Sequence, residues 1–237
     1  MGPKAFHFEA DVDGLSINDI SALHYNMFVA KHYDWWYEVL PDDVVIDIGA
    51  SIGLFSAKAL DARAKKVYMI EPNKNLLKTA IKNVSDHIMN KTESPVVPIN
   101  AAIGKTDVDL SNIYVCAKSR SFEEEPKLMS FGEFLELYKV DYIDFLKISV
   151  QGAEYNILTK DNLEFISTQV RHVAVMVHTG AQYGWEQKFV SWRTDFLKPL
   201  LDLNRVRFQD ASLQEKMFKD NYKELLPSQF MVYITNW

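Results

Sequence analysis

The sequence predicts an α/β protein built on a mostly parallel sheet with helical crossovers, and three stretches carry that prediction. VVIDIGASIGLF at 44–55 is an apolar strand that runs into two glycines and then a helix. VYMIEPN at 67–73 is a second apolar strand that stops on an acid. VRHVAVMV at 170–177 reads as a strand buried on both faces, as strands inside a parallel sheet are.

The elements follow in chain order. Residues 1–11 read as a loose arm. Residues 16–37 read as one or two helices, because Ile17, Ile20, Leu23, Met27 and Ala30 recur at three-to-four spacing before the aromatic run Trp35, Trp36 and Tyr37. This defines a helical cap over residues 1–40, which either covers a sheet edge or closes over a bound molecule. The main domain, 41–237, begins with a strand at 44–48 and a helix at 52–60. A strand at 66–70 is followed by a helix at 73–90 whose Leu76, Leu77, Ala80, Ile81, Val84 and Ile88 face the sheet. A strand at 95–99 precedes a strand or hairpin insertion at 107–117 and a polar tract at 118–127. Ser130 and Glu133 form a capping box for a helix at 130–138. A strand at 142–149, mixed helix and loop at 154–165, and the strand at 170–177 come next. A helix at 185–201 is bent or ended near Pro199, and strands at 204–208 and 230–235 complete the domain.

Bulk properties narrow the function. With 237 residues, 48% apolar and 13% aromatic, the chain has material for a large core. Its net charge of -6 and lack of a basic tail argue against bulk nucleic-acid binding. It has no apolar run long enough for a membrane helix and no evident signal peptide. A single cysteine, Cys116, excludes an internal disulfide and a cysteine-rich metal site. The six histidines are scattered, so no metal set is expected. These features fit a cytoplasmic protein, monomeric or homodimeric.

Asp47, Gly49 and Gly53 form D-x-G-x-x-x-G after the first strand. Gly49 permits a tight turn and close approach of a ligand, and Gly53 lets the first helix pack close by. The pattern differs from the G-x-G-x-x-G pyrophosphate fingerprint, because position 51 is Ser51. A nucleoside without phosphates fits better, and S-adenosylmethionine (SAM) is one. Asp47 can accept from its amine, directly or through water, and backbone N–H groups at the helix start can meet its polar parts. Glu71, ending the second strand, can accept both ribose hydroxyls. Asn73 and Leu76 border ribose and adenine, and the small side chains of 101–104, Ala102 among them, can line an adenine slot.

Four segments in order, 44–56, IEPN at 70–73, INAAIG at 99–104 and DFLKISVQGAEYNIL at 144–158, make the chain resemble the FkbM-type methyltransferases, a family of Rossmann-like class I SAM-dependent enzymes. The resemblance covers roughly 43–177. It implies a seven-stranded sheet whose last strand is antiparallel, and methyl transfer from SAM, often to hydroxyls of sugars or natural products. It also implies that the first motif, with Ala50 and Ser51, and the segment Glu71, Pro72 and Asn73 bind the cofactor. The usual run L-K-I-D-V-E-G-A-E reads here Leu146 to Glu154 as L-K-I-S-V-Q-G-A-E. Ser149 and Gln151 therefore replace two carboxylates where cofactor and substrate meet, and no carboxylate base is available at either position.

Methyl transfer needs a nucleophile placed behind the methyl group, and a hydroxyl nucleophile must lose its proton. His178, at the end of the fifth main-domain strand, is the first candidate base. Glu154 is the nearest remaining acid, or else a helix-start carboxylate that steadies the turn. Lys147 is a catalytic candidate, or else pairs with a carboxylate. Gln151, Tyr183, Trp185 and Tyr25 are candidates for contacting the acceptor. The reading is a SAM-dependent methyltransferase of a small-molecule or sugar-like hydroxyl. N-methylation of an amine or peptide side chain, and a catalytically weakened SAM-fold binding protein, are the alternatives.

Overall fold

A computed structural model describes residues 15–88, 94–104, 126–180 and 185–237. The expected arm at 1–11, the strand or hairpin at 107–117, most of the polar tract and Tyr183 lie outside these residues.

Among the described residues, seven strands form one sheet in the order β3-β2-β1-β6-β7-β9-β8. They are β1 (Val44–Ile48), β2 (Lys66–Ile70), β3 (Val96–Ile99), β6 (Ile143–Ile148), β7 (Val170–His178), β8 (Val206–Phe208) and β9 (Gln229–Thr235). β9 runs antiparallel between β7 and β8, and the other pairings are parallel. The chain reverses strand order after β3, returning across the sheet to place β6 beside β1. That reversal opens a crevice at the carboxyl ends of β1 and β6. The small side chains of 101–103 form a strand, β4 (Ala101–Ile103), paired in parallel with β5 (Lys127–Met129) apart from the main sheet.

Alternation along the strands divides the core into two layers. Ile46, Ile48, Tyr68, Leu146 and Val175 face one layer, completed by the helices Phe131–Tyr138 and Lys160–Gln169 and by the helical stretch that begins at Glu186. Val45, Val67, Phe145 and Ala174 face the other, completed by α2 (Leu54–Asp61) and α3 (Lys74–Ile88). Leu15, Ile20, Met27 and Tyr33 bury in this second layer, so the N-terminal segment shares the core of the main domain.

That segment is α1 (Ile17–His24) followed by a π-helical turn, Tyr25–Val29. Of the apolar positions at helical spacing, Ile20 and Met27 are buried while Ile17 is exposed. The expected capping box at Ser130 is present: the Ser130 hydroxyl accepts from Glu133 N–H, and the Glu133 carboxylate accepts from Ser130 N–H. The helix expected to bend near Pro199 runs from Glu186 to Asp202, with a π-helical stretch at Trp192–Leu197 just before the proline. Proline lacks the N–H that would bond four residues back and its ring crowds that carbonyl, so the widened turn falls where the regular ladder would fail.

Candidate active site

A cavity of about 410 Å³ opens at the carboxyl ends of β1 and β6, under the N-terminal segment. Its volume lies in the range of small-ligand sites. Gly49, Ala50 and Ser51 line it from the turn after β1, and Glu71, Pro72 and Asn73 from the turn after β2. Ala102 lines it from β4, and Ser149 and Gln151 from the end of β6. Residues distant in sequence therefore converge on one space, as their order along the chain predicts.

The glycine turn is tight for a reason the sequence does not disclose. Gly49 has φ +78°, and a Cβ there would sit 2.0 Å from the Ser149 carbonyl oxygen. The close approach is thus made by the neighbouring strand end. Gly53, at φ +80°, meets Ala80 of α3, where a Cβ would lie 2.9 Å from the alanine Cβ. Gly53 lets two helices touch. Four N–H groups of this turn are also spoken for. Gly49 and Ala50 both donate to the Ile70 carbonyl at 3.0 Å, Gly53 donates to that of Ala50, and Ser51 donates to Glu71. Three of these bonds fasten the turn to β2, directly or through Glu71.

Glu71 is held from both sides. Its Oε2 accepts from Ser51 N–H at 2.8 Å and its Oε1 from Asn73 N–H at 2.9 Å. Burial pushes its carboxyl pKa up, and the two N–H donors pull it down. Each oxygen keeps a further acceptor site, and Glu71 borders the cavity. Asn73 caps α3, its side-chain oxygen accepting from the N–H groups of Asn75 and Leu76.

Asp47 does not line the cavity. It is fully buried, with Oδ1 2.7 Å from Lys147 Nζ and Oδ2 accepting from the Ser56 hydroxyl at 2.8 Å. Direct contact with a ligand amine is therefore corrected to a structural role. Lys147 borders the cavity, but besides Asp47 it donates to the Gly49 carbonyl at 2.6 Å. It is the fastener that joins β6 to the glycine turn, the pairing alternative, and the catalytic reading is set aside.

His178 and Glu154 are also placed away from the cavity. Glu154 is fully buried and accepts from Gly152 N–H at 2.8 Å and from His178 N–H at 2.6 Å. The His178 ring lies 3.3 Å from the same carboxylate, and the His178 carbonyl accepts from the Tyr155 hydroxyl. Glu154 ties the turn after β6 to the end of β7, so neither residue is positioned as a base. Trp185 is buried in the core, its ring edge-on to Phe189 and Tyr222. Stacking on an acceptor is corrected to core packing. Tyr25 points to solvent at 57% exposure and is absent from the lining, whereas its neighbours Asn26 and Met27 are present.

In their place the N-terminal segment brings His32 and Tyr33, which sequence reasoning passed over. The Tyr33 hydroxyl donates to Ser149 Oγ at 2.9 Å, and the Tyr33 ring packs 6.0 Å from that of Phe55. The His32 carbonyl accepts from the Tyr233 hydroxyl on β9. Lys58 of α2 reaches the Met27 carbonyl and pairs with Asp34. The nearest signal in the sequence was the aromatic run Trp35, Trp36 and Tyr37 just beyond His32 and Tyr33, read as part of a cap. Among the described residues no group of three His, Cys, Asp or Glu side chains is arranged to hold a metal, and no helix is long and apolar enough to cross a membrane.

A seven-stranded sheet of this order, with a small-molecule cavity at its reversal point and an acid closing the second strand, defines a Rossmann-like α/β protein of the methyltransferase type. The family model described as the methyltransferase FkbM domain matches residues 47–205, and the chain belongs to that family. Among solved structures it is similar to methyltransferase FkbM from Methylobacillus flagellatus KT, at 15% identity and a TM-score of 0.52. That match covers 84% of this chain and 45% of the other, so the chain spans under half of that protein's length. It also matches Aeropyrum pernix fibrillarin in complex with natively bound SAM, at 12% identity and a TM-score of 0.40, covering 87% and 72%. Precorrin 8W decarboxylase of Methanobacterium thermoautotrophicum matches at 15% identity and a TM-score of 0.45, covering 96% of both chains. Comparison with curated protein sequences gives no match.

Proposed function

We propose that the chain transfers a methyl group from SAM to a hydroxyl of a small or sugar-like molecule. The observation that carries the reading is Glu71. It borders the cavity with both oxygens anchored by backbone N–H groups and with acceptor capacity remaining, which suits a ribose diol. Ala101 and Ala102 leave room beside it for a flat base. The donor set present therefore fits a nucleoside with no phosphate to cradle.

SAM, when bound, supplies an electrophilic methyl on a sulfonium. The chain's part is to orient the acceptor and keep water away. The cavity wall near Ser149 suits an uncharged acceptor group. The residues there are Ser149, Gln151, Tyr33 and Met176, with no carboxylate among them. The Tyr33 hydroxyl is oriented by donating to Ser149, so its oxygen remains an acceptor towards the cavity.

Calorimetry with SAM and with its demethylated product tests the reading. Wild type is expected to bind both at micromolar affinity. Glu71→Ala removes two charge-assisted contacts and is expected to weaken binding about 100-fold. A folded wild type that binds neither ligand refutes the assignment.

A further inference from the structure

We infer that His32 is the base that takes the acceptor's proton; this rests on the hydroxyl methyl transfer proposed above. Among the described residues, buried side-chain polar atoms without a hydrogen-bond partner occur on His32, Asp34, Asn156, Arg171, Trp192 and Arg193. Only His32 lines the cavity. Its Nδ1 is buried and bare, and its Nε2, neither buried nor hydrogen-bonded, is the ring nitrogen open to a ligand. A buried polar atom left bare costs stability and is rare in folded proteins. Because neither ring nitrogen has a partner, nothing in the fold commits Nε2 to carrying the proton.

The backbone that carries the ring is held in place. The His32 carbonyl is fixed by the Tyr233 hydroxyl, and its neighbour Tyr33 is fixed by Ser149. The ring thus sits on a segment tied both to β9 and to the end of β6, where the acceptor wall lies. The ionisable groups that share the cavity are Asp19, Glu71, Lys147 and Tyr33. Glu71 is bound to the β2 turn and Lys147 to Asp47. Asp19 caps α1 by accepting from Ser16 N–H. On the flanking segment, Lys31 pairs with Glu38 and Asp34 with Lys58. Burial, with no charged neighbour contributing, pushes the His32 pKa below its ordinary value of 6.5. The ring is neutral at pH 7 and ready to accept.

The step balances without a further reactant. The acceptor oxygen forms a bond to the methyl carbon as the carbon–sulfur bond breaks. The electron pair of that bond goes to sulfur, leaving a neutral thioether. The acceptor's proton passes to the His32 imidazole, which later releases it to water.

The test uses tritiated-methyl SAM with a methyl glycoside, benzyl alcohol and phenol as hydroxyl probes, on wild type, His32→Gln and His32→Ala. Both variants are expected to bind SAM within twofold of wild type and to lose about 100-fold or more in kcat. Wild-type activity should fall on acidification with a midpoint below pH 6.5, and that limb should vanish in His32→Gln. Added imidazole should partly restore His32→Ala, a rescue that a merely structural role would not give. Unchanged kcat and pH profile in variants that bind SAM overturn the base and leave the methyltransferase reading standing. Loss of SAM binding by wild type overturns that reading, and the base with it. If bound SAM transfers no label to any probe, histidine NMR of the product-loaded protein decides. A signal absent from His32→Gln that titrates below 6.5 and moves on adding the probes supports the base. A ring still charged at pH 7, or one indifferent to the probes, overturns it.

Discussion

The two sides of the cavity are assembled in opposite ways. On one, Gly49, Ser51, Glu71 and Asn73 belong to a single strand–helix–strand unit, and short backbone hydrogen bonds hold them. On the other, Tyr33 meets Ser149 across 116 positions of chain, and Met176 arrives from a third segment. A local unit makes a rigid seat for an invariant ligand. A wall gathered from distant segments can be changed one segment at a time, which is how one fold serves many acceptors.

The largest effect should come from joining the two sides too tightly. Gly49→Ala drives a methyl into the Ser149 backbone at a left-handed φ. A cost of about 3–5 kcal/mol is expected, or roughly 10 °C in Tm by calorimetry, with SAM binding lost alongside. A variant with wild-type Tm would break the claim that the turn is built against β6.

His178→Gln sharpens the contrast from the other side. The backbone N–H that Glu154 uses is retained, and only the ring contact changes. Label transfer within about threefold of wild type is expected, with Tm lower by roughly 2–4 °C, about 1 kcal/mol. Abolished transfer at unchanged Tm would return His178 to the site.

A further effect concerns pH. His172 stacks on Tyr37, 4.0 Å between ring centres, and so anchors the N-terminal segment. Burial, aided by the Arg171 cation, lowers its pKa from 6.5 to about 4. Between those values the unfolded chain binds the proton that the folded chain refuses, so stability falls as pH drops through that window. Thermal unfolding at pH 7.5 and 4.5 should show wild type losing a few degrees more than His172→Phe, which keeps the stack. Equal losses would remove His172 from the account.

The same contrast explains what was legible. Gly49 and Glu71 could be read because strand, glycine turn, helix and acid follow one another within one unit, and a parallel crossover leaves little freedom in where they go. The seven strands and the antiparallel last strand followed from the resemblance. His178 and Trp185 were misjudged, and Glu154 was left between two roles, because a strand end or loop start does not reveal which way a side chain turns. Here Glu154 closes a turn, and Trp185 joins Phe189 and Tyr222 in the core. Tyr25 was one position away from Asn26, which does line the cavity, and the π-helical turn shifts which positions share a face. His32 lacked a local signal, since its place depends on bonds to Tyr233 and, through Tyr33, to Ser149.

Asp47 and Lys147 are direct partners in the register of β1 and β6, and their pair sits among apolar neighbours. A slip of β6 by one residue would send the ammonium through to the opposite face of the sheet and leave both charges stranded in hydrocarbon. A slip by two would set Asp47 against Phe145 or Ser149. The pair therefore works as a parity check on assembly: a strand synthesised a hundred residues after its neighbour can dock beside it in one alignment, the alignment that sets Gly49 against Ser149 and gives the cavity its floor.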